Sequence, residues 1–238
     1  MSAASTAAVF AQWAVKLADA RDAVRARQSA RSDLIEVAAQ HPLINGTRPD
    51  PEFVARLQRG AELYRQSLGA GRSAEIYVPG SRLMDKGVAD KVTLSTAGTR
   101  FLSELGIPAA ALHGDDLNDR YKGPDAPQPG VYCSADECFV AARYWHDGGF
   151  GRLLSVVSAG QLLRKMLHFV AFGVYPLMYS APTFDAAHDP VGEALDMVPA
   201  VMFQDASLQA ADSQRAIAFR RARMPDYELP PHSAAGNT

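Results

Sequence analysis

Val156-Val157-Ser158-Ala159-Gly160-Gln161-Leu162-Leu163-Arg164 is the stretch whose reading decides the fold. It closes a run, residues 153–157, that is apolar but for Ser155, of the kind a strand shows when both its faces are buried. Ser158, Ala159 and Gly160 then turn the chain into a helix expected over 160–172. A strand that passes this quickly into a helix is the repeating unit of a parallel sheet.

The same unit recurs on both sides of that junction. Upstream, residues 33–39 read as a first strand. Pro51 opens the next helix, at a position that tolerates a missing N–H. Phe53, Leu57, Ala61, Tyr64 and Leu68 form its apolar face, and Gly69 and Gly71 stop it. Residues 74–80 are the second strand; Thr93 or Ser95 caps a helix that buries Leu94, Ala97, Phe101 and Leu105. Residues 109–113 read as a third strand and 114–132 as one long loop. A helix over 134–146 follows, with Ser134 as N-cap and Glu137 at the capping-box position. Residues 153–157 are the fourth strand and 174–181 the fifth. The expected architecture is a doubly wound α/β fold with a mostly parallel, five-stranded, Rossmann-like sheet and added N- and C-terminal helices.

One domain over residues 1–229 is expected. It divides into a packing helix within 1–30, a Rossmann-like core over 31–185 and a helical extension over 186–229; residues 230–238 read as a disordered tail. Val9, Trp13, Leu17, Ala20 and Val24 recur at helical spacing in the first helix. Arg215, Arg220, Arg221 and Arg223 make a basic stripe on the last, a solvated or subunit-facing surface that leaves room for a homodimer.

With 238 residues, 47% of them hydrophobic, the chain can bury a full core without disulfides or metal. A net charge of −2 supplies no broad field for nucleic acid or an anionic membrane. Cys133 and Cys138 match neither a redox nor a zinc spacing, read as reduced thiols on one helix, and no metal is expected. The N-terminus lacks a signal-peptide pattern, and the apolar stretch 166–182 is too short and broken to span a bilayer. The expected location is cytoplasmic.

In open parallel sheets, ligands bind beyond the carboxyl ends of the strands. That rule selects His41, Asn45, Gly46, Thr47 and Arg48 after the first strand, and Gly80, Ser81 and Arg82 after the second. After the third come His113, Gly114, Asp115, Asp116 and Asn118, and after the fourth Ser158, Gly160, Gln161 and Arg164. P-loop, G-x-G-x-x-G, G-x-S-x-G and H-E-x-x-H motifs do not occur in these places.

Four stretches resemble the YdcF/SanA/ElyC-like family of bacterial α/β proteins, over roughly residues 33–181. They are Arg56-Leu57-Gln58-Arg59-Gly60-Ala61-Glu62-Leu63-Tyr64 with Ile76-Tyr77-Val78-Pro79-Gly80-Ser81; Phe101-Leu102-Ser103-Glu104-Leu105-Gly106-Ile107-Pro108; Ser134-Ala135-Asp136-Glu137-Cys138; and the opening stretch, where the family has Val-Thr-Ser-x-x-His-x-x-Arg. The chain departs at Gln161 in place of His, at Cys138 in place of Asn, and at Ser95 or Thr96 in place of Glu. The resemblance implies Glu137, Ser158 and Arg164 as site residues, with Asp115 or Asp116 at the family's acidic position. It also implies S-adenosylmethionine as the ligand, since the family is linked to bacterial envelope functions and to binding that molecule.

Three functions stay open. The first is an enzyme-like pocket for a nucleotide-shaped ligand, S-adenosylmethionine first. There Asp115 or Asp116 holds a ribose, Ser158, Gly160, Gln161 and Arg164 hold the charged end, Gly80, Ser81 and Arg82 complete the rim, and His113 or Glu137 handles a proton. The second is a hydrolase or transferase acting on a phosphorylated or carboxylated metabolite through the same anion site. The third is a non-catalytic binding module, whose sign is that His113, Glu137 and the two aspartates do not converge. In each the partner is a small molecule.

Overall fold

The computed structural model describes residues 3–39, 43–80, 84–85, 88–123, 130–131 and 133–181. Ser81, Arg82, the expected helical extension and the expected tail lie outside them. The chain order is α1 (Ala3–Arg25), β1 (Ser32–Val37), α2 (Pro51–Gly69), β2 (Ser73–Tyr77), a short antiparallel pair β3 (Met84–Asp85) and β4 (Val88–Ala89), and α3 (Leu94–Glu104). Then come β5 (Leu112–His113), α4 (Asp115–Lys122), α5 (Ser134–Gly148), β6 (Arg152–Ser158), α6 (Leu162–Ala171) and β7 (Leu177–Ala181).

Five strands form one sheet in the order β5-β2-β1-β6-β7, with every pairing parallel. The first strand lies in the middle and the winding reverses between β1 and β6, as the doubly wound expectation requires. Alternation along β1 sends Ile35 and Val37 to one face and Leu34 and Glu36 to the other. The Ile35 face is covered by α2 and α3 through Phe53, Leu57, Ala61, Leu94 and Leu102. The Leu34 face is covered by α5 and α6 through Val140, Ala141, Trp145 and Phe169. Leu117 of α4 joins that second core, and Ala23 and Val24 of α1 pack against it. Arg27, just beyond α1, stacks 4.3 Å over the Trp145 ring and donates to the Trp145 and His146 carbonyls at the end of α5.

Local chemistry sets most boundaries where expected. Asp50 accepts from the Phe53 amide ahead of Pro51, and Thr93 caps α3 through the Thr96 amide. Three expectations need correction. The 114–132 loop contains α4, whose first turn presents Asp115 and Asp116 and whose last turn holds Arg120 and Lys122, the charge order a helix dipole favours. The third strand shrinks to Leu112–His113 behind a 3-10 turn, because it is an edge strand paired on one side only. At α5, Cys133 precedes the helix and no side chain caps it; Ser134 is the first helical residue. Glu137 is drawn away from the capping-box bond to Lys165.

Helix α3 approaches the sheet closely at Gly98. A β-carbon there would lie 2.7 Å from Val78 Cγ1, 3.0 Å from Phe53 Cζ and 3.2 Å from Leu57 Cδ2, whereas one at Gly69, the last residue of α2, would meet nothing within 4 Å. Overpacking costs roughly 1–3 kcal/mol and exceeds the roughly 1 kcal/mol that alanine gains over glycine in a helix. Gly98→Ala is therefore expected to lower the denaturant midpoint and Gly69→Ala to raise it slightly; shifts of the same sign would contradict this packing.

Candidate functional site

The site to build lies at the carboxyl ends of β1 and β6, where the winding reverses and a doubly wound sheet opens a crevice. Glu36 lies one residue before the end of β1 and is fully buried on the α5–α6 face. It sits between Tyr77 on β2 and Ser155 on β6 in the strand register. The Ser155 hydroxyl donates to it at 2.6 Å, and Lys165 Nζ donates at 2.5 Å. Lys165 also donates at 2.5 Å to Glu137 of α5. Lys165 and Glu36 have no exposed side-chain surface; Glu137 keeps 12%. Burial raises the Glu137 carboxyl above the ordinary range; Lys165 pulls the other way and Glu36 adds to the rise. Burial also opposes the Lys165 charge, but Glu137 and Glu36 outweigh it and hold the ammonium well above its usual value. One turn later on α6, His168 is pushed down to about 3 by burial and by the charges of Arg164 and Lys165, so it is a neutral imidazole.

The opposite face carries a second buried cation. Arg56 of α2 has no exposed surface. Its guanidinium donates to the Ala38 and Ala39 carbonyls just past β1, to the Ser158 hydroxyl at the end of β6, and to Glu52. The Ser158 hydroxyl in turn donates to Glu52. One side chain therefore ties both strands to α2.

The residues selected from sequence divide between this crevice and a separate place. Ser158, Arg164 and Glu137 lie around the crevice, but Ser158 serves Arg56, while Arg164 donates to Ser134 at the start of α5. Gly160 is exposed and Gln161 half-buried in a 3-10 turn that leads into α6, and neither this turn nor α6 has a side-chain cap. Gly80 has φ +111°, and a β-carbon on it would sit 3.0 Å from Leu94 Cβ and 3.1 Å from Ala39 Cβ, so glycine is required there for backbone reasons. Asp115 accepts from the Thr93 and Thr96 hydroxyls at 2.6 and 2.8 Å. Asp116 accepts from the Gly114 amide.

His113 belongs to a different cluster, at the β5 edge. Its Nδ1 meets Asp116 at 2.9 Å and its Nε2 meets Glu75 at 2.9 Å; Tyr144 donates to the same Glu75 oxygen. With a carboxylate on each ring nitrogen, the imidazolium form is favoured. The hydrogen bond to Asp116, and then the Asp116 and Glu75 charges, raise its pKa although burial lowers it. His113, Glu137 and Asp115 thus have no common partner.

Arg56, Glu52, Glu36 and Lys165 were not singled out from sequence. One signal was available: Glu36 interrupts the apolar run Leu34-Ile35-Glu36-Val37-Ala38, and a charge inside a strand buried on both faces must have an internal partner. Compared with models of known protein families and with curated proteins, the chain matches none. The site is therefore argued from its own geometry.

Removing one member of a buried ion pair costs about 3–5 kcal/mol. Arg56→Met is expected to lose that much in guanidinium unfolding; a loss below about 1 kcal/mol would show that the clasp contributes little. For His113 the raised folded-state pKa means that its stabilisation is complete below the unfolded value near 6.5 and fades as pH rises through the folded one. The deficit of His113→Gln should be larger at about pH 6 than at about pH 9, and an equal deficit at both would refute the double carboxylate bond.

Proposed function

We propose that the chain binds a nucleotide-shaped, positively charged small molecule, S-adenosylmethionine first, in the crevice between the carboxyl ends of β1 and β6. The observation that carries this is the floor of the crevice, where two carboxylates, Glu36 and Glu137, share the single ammonium of Lys165. Around it, Arg56 pairs with Glu52, Lys122 pairs with Asp136, and the buried Arg164 donates to Ser134. A carboxyl in excess of the ammonium it shares ionises more readily beside a bound cation and disfavours a phosphate.

The sulfonium of S-adenosylmethionine supplies the positive charge. Its carboxylate suits the uncapped amides at the start of α6, the property that places anions at helix N-termini. The strand order supports the nucleoside part, since a doubly wound sheet accepts nucleotides where the winding reverses. The resemblance to YdcF-like proteins points to the same ligand.

His113 meets Asp116 at 2.9 Å, but Asp115 and Glu137 are bonded elsewhere, which favours a binding site served by at most one acid over a constellation of several catalytic groups. This arrangement makes a non-catalytic binder the second reading.

Isothermal calorimetry on the full chain tests the ligand. S-adenosylmethionine should bind, and its neutral sulfide product S-adenosylhomocysteine should bind at least several-fold more weakly. Heat with ATP but none with S-adenosylmethionine would favour a phosphorylated metabolite instead. No heat with any of the three at millimolar concentration would refute the proposal.

A further inference from the structure

The Glu36–Lys165–Glu137 network holds two carboxyls against one buried ammonium, with the buried Cys138 thiol donating to the Lys165 carbonyl. Two ionised carboxylates there would leave one negative charge out of water, which costs several kcal/mol unless a proton is taken up. Glu36 accepts from two donors, the Ser155 hydroxyl and Lys165, and has no solvent contact. Glu137 has one of these donors, Lys165, and the only exposed surface in the network. We propose that the network retains a proton that exposed carboxyls have already released, and that Glu137 carries it as the acid of the crevice.

The other charged and titratable groups around Glu137 do not remove the imbalance. Arg56 acts from α2 and is bound to Glu52, and Arg164 of α6 donates to Ser134. Asp136 of α5 is paired with Lys122 of α4, and Tyr77 on β2 is a buried neutral phenol donating to Asn118. The direction expected from burial and from Glu36 agrees with the geometry. In a transfer step the Glu137 O–H bond would break, the proton would pass to a basic atom of the docked molecule, and the new carboxylate would face Lys165. Among the residues expected to handle a proton, this separates Glu137 from His113, which is bound at the sheet edge.

The inference deepens the ligand reading and rests on it for its use, but it is tested without a ligand. Residue-assigned carboxyl-carbon NMR is followed through a pH titration of the full chain. Glu137 should ionise at higher pH than the exposed Glu62 and Glu104. In Glu36→Gln, where the second carboxylate is gone, the Glu137 acid dissociation constant should rise at least tenfold. Ionisation of Glu137 together with the exposed carboxyls would overturn the proposal. A raised Glu137 midpoint unmoved by Glu36→Gln would also overturn it, because the shared charge would not be its cause. If Glu36→Gln does not fold, the wild-type titration decides alone. Absence of heat with S-adenosylmethionine would remove the ligand reading and leave this titration intact.

Discussion

A charge taken out of water must find its counter-charge inside, and that constraint organises the centre of this molecule. Lys165 and Arg56 are both fully buried, on opposite faces of the sheet, and both are satisfied at the carboxyl ends of β1 and β6. Lys165 of α6 holds the end of β1 and the start of α5 together through Glu36 and Glu137. Arg56 holds the peptides just beyond β1, and the end of β6, against α2. The reversal of winding is therefore the point where the layers on both faces are pinned.

The other end of the sheet obeys the same rule with a different outcome. Asp33, at the start of β1, is buried and gripped by Arg152 and Arg72. There two cations meet one carboxylate and both guanidiniums reach solvent, so nothing is left uncompensated in the interior. At the crevice the ratio is inverted and the surplus carboxyl is buried. This contrast is what supports the proposed chemical use of the Lys165 cluster and a structural role for the Asp33 one.

The fold was legible because its signals are local. The apolar run at 153–157 falls within β6, Pro51 and the Asp50 cap set the start of α2, and Thr93 starts α3. The third strand was drawn too long, since only Leu112 and His113 pair, and the helix α4 was missed because it is mostly charged, with Leu117 as its buried anchor. The site was only partly legible. Ser158, Arg164 and Glu137 stand in a recognisable motif. The side chains that organise them are paired across the chain: Arg56 reaches Ser158 over 102 positions and Lys165 reaches Glu36 over 129. No spacing rule joins such residues. His113 was drawn into the expected pocket because it ends a strand, but β5 is the sheet edge, and a strand end there faces away from the reversal point.

The crevice between β1 and β6 is the proposed binding place of a small molecule. Hydrogen–deuterium exchange of the full chain with and without saturating S-adenosylmethionine tests it most directly. The account predicts slowed exchange in residues 37–39 and 158–165, with the β5 edge around His113 unchanged. Ligand-induced protection confined to that edge, or to the Asp33 end of the sheet, would contradict it.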